Sequence, residues 1–318
     1  MILIDVGAAG EILPRFSSIK EKTIVAFEPD PEAYDELKTK YSSKNYVIIN
    51  EALSSQKQSI EINFTNKGEC SSIFRPNLKL LEKYPYSDRF KVKETAKIQT
   101  NTLDNILKNE GIENPNFIKL DIQGAELDAL KGGLESLKTI SCIELEIEFA
   151  ELYEGQPLFS EIEQFLRSQG FEVWDIRRVF QKNRNSLFFG SKKGRLISGD
   201  ALFFKNTRKL HIDLQELDED SWNKAILSSL EIAKVYGYSD YIVELLKDAP
   251  SNRNIKPFND YLNFSKKDWL SVKSILSMYR YKISKFLSKK LFSYAQRVDP
   301  YDSGFKIGDS SLGNKKIK

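Results

Sequence analysis

Three acidic residues stand at or near the ends of short apolar segments, where they could hold a nucleoside. Asp5 precedes a turn that contains Gly7 and Gly10, Glu28 ends the second apolar segment, and Asp121 ends a later one. If these segments are parallel strands, their carboxyl ends share one edge of a sheet, where open α/β sheets bind ligands. A glycine turn lets the backbone approach the ligand, and a carboxylate can accept hydrogen bonds from both ribose hydroxyls. The pattern therefore predicts a nucleoside-binding edge.

The glycine turn also narrows the kind of ligand. Dinucleotide-binding sites carry the motif G-x-G-x-x-G, which binds the pyrophosphate at a helix N-terminus. At the corresponding place this chain has only Gly7 and Gly10. Asp5 would repel a pyrophosphate but would suit a cation. S-adenosylmethionine carries a sulfonium and an ammonium group and no phosphate, so these residues favour it over NAD. An NAD-dependent oxidoreductase is the alternative, and the missing fingerprint counts against it.

The composition excludes several other classes of protein. A net charge of +3 over 318 residues gives no general affinity for nucleic acid. The two cysteines, Cys70 and Cys142, are far apart and lack partner histidines, so neither a zinc site nor a disulfide framework is expected. No apolar run approaches the roughly 20 residues that a membrane span needs. A cytoplasmic enzyme without a bound metal is the expectation.

Strand and helix patterns alternate from the start of the chain to about Lys205. This alternation predicts an α/β fold with a doubly wound, mostly parallel sheet that has an antiparallel edge. Residues 67–91 are expected to form a loop. A single helix is expected to run through Leu127, Leu130 and Leu134, because these apolar residues recur at helical spacing.

After Lys205 the strand signal stops, and a helical extension is expected over residues 206–300. Between Lys266 and Arg297 there are nine lysines or arginines and one acid, together with an apolar stripe at helical spacing. This segment could contact an anionic membrane peripherally, or it could pack its apolar face on the fold and leave its lysines in water. Residues 301–318 are expected to be a disordered tail.

The motifs together resemble the FkbM family of methyltransferases, over roughly residues 1–205. The resemblance implies a Rossmann-like class I methyltransferase fold, S-adenosylmethionine as the methyl donor, and an oxygen atom as the usual acceptor. Many members of the family act in pathways that decorate sugars, surface polysaccharides or polyketides. The motifs that carry the resemblance are Asp5-Val6-Gly7-Ala8-Ala9-Gly10, Phe27-Glu28-Pro29-Asp30, Thr102-Leu103-Asp104, Lys119-Leu120-Asp121-Ile122-Gln123-Gly124-Ala125-Glu126 and Leu130-Lys131-Gly132-Gly133.

The resemblance assigns roles to single residues. Asp5, Gly7 and Gly10 match the first motif, which contacts the methionine part of the donor, and Glu28 matches the ribose-binding acid. Asp121 belongs to a motif at the end of the fourth strand. The full set of residues expected to bind the donor is Asp5, Gly7, Ala8, Gly10, Glu28, Pro29 and Asp121.

An O-methyl transfer needs a group that takes the proton of the acceptor hydroxyl, and carboxylates with raised pKa values can do this. Asp121, Glu126 and Glu146 are the predicted catalytic residues, with Glu148 as a further candidate. Glu126 could instead be an acid that a helix N-terminus favours. Glu144, Glu146 and Glu148 alternate along one strand, so they could bind a divalent cation or form a solvated strand end.

The expected function is S-adenosylmethionine-dependent O-methylation of a hydroxyl group on a sugar or glycan. The expected partner is this small-molecule or glycan acceptor, with no nucleic acid. The alternative is a non-catalytic, methyltransferase-like module that attaches to a membrane-associated glycan-assembly complex through its C-terminal helices. The presence of Asp5, Glu28 and Asp121 weighs against an inactive module.

Overall fold

The chain is built around a seven-stranded sheet. The computed structural model describes residues 1–8, 10–185 and 194–262. The strand order is β3-β2-β1-β7-β8-β10-β9, and all neighbours are parallel except the pairs that β10 makes with β8 and β9. The predicted doubly wound sheet with an antiparallel edge is confirmed. Its strands are β1 (Ile2–Val6), β2 (Thr23–Phe27), β3 (Tyr46–Ile49), β7 (Phe117–Leu120), β8 (Cys142–Glu148), β9 (Phe171–Gln181) and β10 (Arg195–Lys205).

The strands that follow β3 along the chain form a second, three-stranded sheet, in the order β4-β6-β5. It contains β4 (Ala52–Leu53), β5 (Gln58–Thr65) and β6 (Val92–Asn101). Polar and apolar residues alternate along most of β5, as is typical of a half-exposed strand, whereas most residues of β6 are exposed and polar. The helices of the described residues are α1 (Pro31–Lys40), α2 (Leu78–Leu81), α3 (Leu103–Asn109), α4 (Glu126–Lys131), α5 (Leu134–Thr139), α6 (Phe159–Ser168), α7 (Thr207–Asp213), α8 (Glu219–Tyr236) and α9 (Ser239–Lys247).

The helix expected through Leu127, Leu130 and Leu134 is in fact two helices, and that prediction is wrong. The break falls at Gly132 and Gly133, between α4 and α5. A Cβ on Gly132 would lie 2.2 Å from the carbonyl oxygen of Ser54, so only glycine allows this close approach of two backbones. The expected loop over residues 67–91 also contains the short helix α2 and two 3-10 turns.

Each face of the main sheet carries its own core, because successive side chains of a strand point to opposite faces. One core holds Ile4, Val25 and Ile118 and is covered by helices α3 to α6. The other holds Leu3, Phe117 and the buried residues of α8 and α9. The helices that follow Lys205 therefore share a core with the sheet.

The first strand connects to the second without an α-helix in the described residues. The connection has a 3-10 turn at Pro14–Phe16. The Phe16 ring packs 4.8 Å from the ring of Phe117 and 6.1 Å from the ring of Tyr236 on α8. Helix α8 therefore packs on the face of the sheet that lies beneath this connection.

The long basic helix expected between Lys266 and Arg297, and the expected tail, lie outside the described residues. Within the ranges that are described, no helix combines the length and the apolar character needed to cross a bilayer.

Candidate active site

The turn after β1 is pressed between two neighbouring strand ends. The backbone N–H groups of Gly7 and Ala8 both donate to the carbonyl oxygen of Phe27, at 3.1 and 3.2 Å. Gly7 has φ +80°, and a Cβ there would lie 2.1 Å from the carbonyl oxygen of Asp121. Gly10 also has a positive φ, +96°, but a Cβ at that position would meet open space. The turn therefore requires glycine at position 7 for two reasons and at position 10 for its conformation alone.

Asp5 is buried beneath this turn. Its carboxylate accepts a hydrogen bond from the N–H of Leu13 at 3.2 Å and lies 3.5 Å from the Lys119 ammonium. Burial raises the pKa of Asp5 to about 6, although the charge of Lys119 works in the opposite direction. The same ammonium lies 3.5 Å from the carboxylate of Asp121. Burial alone would lower the pKa of Lys119, but the surrounding carboxylates outweigh burial and raise it. One lysine therefore holds two predicted donor-site acids.

Glu28 is a buried acid and not a solvated strand end, with only 6% of its surface exposed. Its carboxylate accepts a hydrogen bond from the N–H of Asp30 at 3.0 Å, and burial raises its pKa. Asp30 in turn caps helix α1 by accepting from the N–H of Ala33. The side-chain amide of Asn50 donates to the carbonyl oxygens of both Glu28 and Pro29. The end of β2 is thus fixed in one conformation.

The turn after β7 is held by Glu126. The fully buried carboxylate accepts hydrogen bonds from the N–H groups of Ile122 and Gly124, at 2.8 and 2.9 Å. Burial raises the pKa of Glu126 to about 7. Gln123 and Gly124 both have positive φ, +54° and +100°. Both Glu126 oxygens are therefore engaged in holding an unusual backbone.

The turn after β7 directs the side chain of Gln123 across the candidate site. Its amide donates to the carboxylates of Asp121, at 3.2 Å, and Glu146, at 2.5 Å. Its amide oxygen lies 2.9 Å from the hydroxyl of the buried Tyr153. The hydroxyl of Ser72 donates to the Gln123 carbonyl oxygen at 2.7 Å. Gln123 therefore joins the predicted catalytic residues Asp121 and Glu146 and ties them to the segment that covers the site.

A row of acids continues along β8. Glu146 is opposite Asp200 of β10, which is opposite Arg177 of β9 and accepts hydrogen bonds from its guanidinium. Glu148 lies two residues further along and has 1% of its surface exposed. The nearby side chain of Gln156 acts to lower its pKa, but burial outweighs this contact. Burial, followed by the charges of neighbouring acids, raises the pKa values of Glu146 and Glu148 well above the ordinary range.

The first acid of this row, Glu144, contacts helix α8 and the segment that connects β1 to β2. The hydroxyl of Tyr236 on α8 donates to its carboxylate, and the guanidinium of Arg15 lies 4.0 Å away. The guanidinium also lies 4.7 Å from the centre of the Tyr236 ring. Helix α8 is therefore attached to the acidic row of β8, at a residue that is opposite Lys119 of β7.

The alternating glutamates do not form an arrangement that suits a metal ion. Nowhere in residues 1–8, 10–185 and 194–262 do three or more His, Cys, Asp or Glu side chains converge as metal ligands. His211 lies apart from the site, with its ring stacked on Trp222 and its Nε2 atom 2.9 Å from the Leu245 carbonyl oxygen.

The structure brings most predicted site residues to one edge of the sheet. Asp5, Asp121 and Glu146 are joined by hydrogen bonds or ion pairs, with Lys119 and Gln123 as the connecting groups. Sequence reasoning missed both connecting roles, together with those of Tyr153, Asp200 and Tyr236. The spacing of Lys119 and Asp121, two apart on one strand, was an available signal for the first. The others arise from distant parts of the chain.

The strand order, with one antiparallel strand inserted beside the last, defines the fold of a class I methyltransferase. A family model described as the methyltransferase FkbM domain matches residues 5–173. The chain belongs to this family of methyltransferases, as its motifs predicted.

One curated relative is the 2-O-methyltransferase NoeI of Sinorhizobium fredii. It is 27% identical to this chain over 164 residues, which make up 49% of this chain and 66% of the relative. Among solved structures, an FkbM methyltransferase from Methylobacillus flagellatus shares 14% identity with a TM-score of 0.33, over 64% of this chain and 42% of that one. A methyltransferase from Anabaena variabilis shares 9% identity with a TM-score of 0.33, over 65% and 77%.

Proposed function

We propose that this protein transfers a methyl group from S-adenosylmethionine to a hydroxyl group of a sugar or glycan. The observation that carries the proposal is the close approach of Gly7 to the carbonyl oxygen of Asp121, between the two buried acids Asp5 and Glu28. Here the two backbones touch with no room for a side chain, and we call this glycine turn, together with the ends of β2 and β7 that it contacts, the cradle. It is flanked by a carboxylate on each of two neighbouring strands.

The residues around the cradle fit a cationic donor that lacks phosphate. Asp5, Asp121 and Glu144 surround the single ammonium of Lys119, so the acids outnumber the lysine at the ends of β1, β7 and β8. Such an environment favours a sulfonium and an ammonium group and disfavours a pyrophosphate. Glu28, next to the cradle on β2, would take the ribose hydroxyls. When bound, S-adenosylmethionine supplies the methyl group as an electrophilic carbon.

The acceptor side of the site is supplied by the acids of β7 and β8. The side chain of Asp121 is 43% exposed, whereas Glu126, Glu146 and Glu148 are buried or nearly so. Asp121 is therefore the carboxylate best placed to meet an acceptor hydroxyl. Lys119 and Gln123 hold it in position, which matters because orientation of the reacting groups supplies much of the acceleration in such reactions.

Proton transfer then follows from the same geometry. When bound, S-adenosylmethionine would supply the methyl group, and the acceptor hydroxyl would give its proton to the Asp121 carboxylate as its oxygen takes that methyl group. The Glu146 carboxylate accepts a hydrogen bond from the same Gln123 amide that donates to Asp121, so it helps to hold that amide in position. The Glu126 carboxylate supports the turn that carries Gln123.

An oxygen acceptor is supported by the relationship to NoeI, because that relative is named a 2-O-methyltransferase. The sugar is the part of the proposal that comes from the pathways in which many members of the family act. The alternative, a non-catalytic module, would have no use for this intact set of buried acids. Calorimetric titration with S-adenosylhomocysteine, followed by a methyl-transfer screen over sugars, nucleotide sugars and glycans, tests the proposal. Absence of S-adenosylhomocysteine binding would reject the donor, and methylation of a nitrogen acceptor alone would reject the O-methyl class.

A further inference from the structure

The ring of Tyr236 on helix α8 supports the connection between β1 and β2. The guanidinium of Arg15 lies 4.7 Å from the centre of this ring, and the ring of Phe16 lies 6.1 Å from it in an edge-on arrangement. The hydroxyl of Tyr236 donates to the carboxylate of Glu144, and the whole residue is buried. Two consecutive residues of the connection therefore rest on one buried ring of the C-terminal helices.

The connection contains a residue in an unfavourable backbone conformation just before these contacts. Leu13 has φ +40° and ψ +57°, in the left-handed region that residues other than glycine seldom adopt. Such a conformation persists only where the surrounding contacts fix it. The 3-10 turn at Pro14–Phe16 follows directly, and the N–H of Phe16 donates to the carbonyl oxygen of Leu13 at 3.0 Å. The packing of Arg15 and Phe16 on Tyr236 therefore helps to hold Leu13 in place.

The conformation of Leu13 affects the donor site through one hydrogen bond. The N–H of Leu13 donates to the buried carboxylate of Asp5 at 3.2 Å, and the Lys119 ammonium lies 3.5 Å from the other oxygen of that carboxylate. The connection is also held one residue earlier, where the N–H of Ile12 donates to the Tyr41 hydroxyl at 3.2 Å. Asp5 is therefore fixed between an ammonium from β7 and an N–H whose position depends on the connection.

We propose that Tyr236 is a positioning residue for the methyl donor: its ring fixes the segment from Leu13 to Phe16 and, through that segment, the carboxylate of Asp5. This inference rests on the proposed function. The family model matches residues 5–173, so Tyr236 lies beyond the part of the chain that the family describes. The helical extension after Lys205 then takes part in donor binding and does more than cover one face of the sheet.

The test measures binding of S-adenosylhomocysteine to variants of the full chain at two buried tyrosines. Tyr236→Leu removes the ring, and Tyr236→Phe keeps the ring and removes the hydroxyl. Tyr241→Leu and Tyr241→Phe are the matched controls, because Tyr241 is buried in the same core and its ring lies 4.6 Å from that of Phe204. The Tyr241 hydroxyl also donates one hydrogen bond, to the carbonyl oxygen of Lys205 at 2.9 Å.

The two leucine variants should differ in donor affinity although both lose a buried ring. By calorimetry we expect Tyr236→Leu to lose about 10-fold or more, because a binding conformation that is populated about a tenth of the time lowers the apparent affinity by that factor. Tyr236→Phe should stay within about threefold of the wild type, because it keeps the ring that contacts Arg15 and Phe16. The Tyr241 variants should stay within about twofold, because sites that share no partners act independently.

The pH dependence separates positioning from a general loss of packing. Burial raises the pKa of Asp5 to about 6, and the Leu13 N–H acts to lower it. The charged groups that face this carboxylate, Lys119 and Asp121 of β7, are present in every variant. An ionised Asp5 attracts the ammonium group of S-adenosylhomocysteine, so the affinity of the wild type should fall as the pH drops through about 6. In Tyr236→Leu the fall should begin at a higher pH, because Asp5 has lost the Leu13 N–H, whereas the leucine control should follow the wild type.

Each outcome bears on the inference. Equal affinity losses in Tyr236→Leu and Tyr241→Leu, or a loss in Tyr236→Phe as large as that in Tyr236→Leu, would overturn it. An acid limb that does not move in Tyr236→Leu would also overturn it. Thermal unfolding checks that the variants are folded, and Arg15→Met, at a half-buried position, replaces Tyr236→Leu if that variant is not.

Failure of the donor proposal gives a different result. If the wild type does not bind S-adenosylhomocysteine, the donor proposal fails, and hydrogen exchange of residues 10–17 still tests the positioning of the connection. Faster exchange in Tyr236→Leu than in Tyr241→Leu would show that the Tyr236 ring holds this segment. Equal exchange in the two variants would reject that role.

Discussion

The carbonyl oxygen of Asp121 lies 2.1 Å from the position that a Cβ on Gly7 would occupy. This contact joins the donor turn of β1 to the strand end that carries the acceptor-side acid. Any side chain at position 7 must push these two strand ends apart. The donor turn and the strand end that carries Asp121 can therefore stay in contact only because residue 7 has no Cβ atom.

The first prediction concerns this contact. We expect Gly7→Ala to lose detectable S-adenosylhomocysteine binding and to lower the free energy of unfolding by more than the 1–3 kcal/mol, roughly, that a residue in a rare backbone conformation costs. Gly111→Ala is the matched control, because Gly111 also has a positive φ, +64°, but has open space around it. Calorimetry and denaturant unfolding measure the two effects. Equal destabilisation by the two variants would show that the contact with Asp121 has no cost of its own.

The second prediction concerns donor binding. Glu28→Ala should weaken S-adenosylhomocysteine binding by roughly 1.5–3 kcal/mol, the range for hydrogen bonds to a charged group. Glu32→Ala, which removes an exposed acid from the first turn of the neighbouring helix α1, should leave the affinity unchanged. NAD should not compete in the same titration. Tighter binding of NAD than of S-adenosylhomocysteine would refute the donor assignment.

The third prediction concerns the proton. Asp121→Asn keeps the shape of the side chain and removes its charge. We expect turnover to fall about 100-fold or more while donor affinity changes little, because general-base catalysis is of this size. Asp128→Asn, a half-buried acid on α4 paired with Lys131, is the control. Unchanged turnover in Asp121→Asn would move the base role to Glu146.

Local patterns in the sequence were enough to place the strands and the acids at their ends. Asp5, Glu28 and Asp121 each follow an apolar run, and such runs form buried strands. The connecting groups could not be read in the same way. Gln123 reaches Glu146 only because it adopts a positive φ, which is uncommon for residues other than glycine.

Contacts between distant segments were also beyond local patterns. Tyr236 and Glu144 are 92 residues apart, and no periodicity relates them. The break between α4 and α5 has a similar origin, because the carbonyl oxygen that requires Gly132 belongs to Ser54 on another part of the chain. The helical spacing of leucines predicts which face of a helix is buried. It does not predict that a distant backbone segment contacts one turn and interrupts the helix.

The fourth prediction concerns pH. Burial raises the pKa of Glu126 to about 7 and that of Glu148 well above its ordinary 4.5. Between their ordinary pKa of 4.5 and their raised pKa, these carboxyl groups hold protons in the folded state that they have lost in the unfolded state. The free energy of unfolding therefore falls as the pH rises from about 4.5 through 7. Glu148→Gln removes one such group without adding a charge.

We therefore expect Glu148→Gln to be more stable than the wild type at pH 8 and to gain less, or nothing, at pH 5. The lowered pKa of His211 works in the opposite direction below its ordinary 6.5, but it is common to both proteins and cancels in the comparison. Glu61→Gln, at an exposed position on β5, is the control and should show the same profile as the wild type. Denaturant unfolding at the two pH values gives the result, and a stability difference independent of pH would contradict a buried ionisable role for Glu148.

The last prediction concerns the basic segment between Lys266 and Arg297, whose contact with membranes stays a proposal. Its nine basic residues would each add on the order of 1 kcal/mol of attraction near an anionic surface, so several together could hold the protein there. Salt should then release it, since exposed charges are screened beyond about 8 Å at physiological ionic strength. Sedimentation with liposomes that contain or lack anionic lipid measures the attachment. Lys289→Gln with Lys290→Gln should reduce it, whereas Lys20→Gln with Lys44→Gln, two exposed charges next to β2 and β3, should not. Equal recovery in the supernatant with both kinds of liposome would reject the membrane contact and favour a segment whose apolar stripe packs against the protein itself.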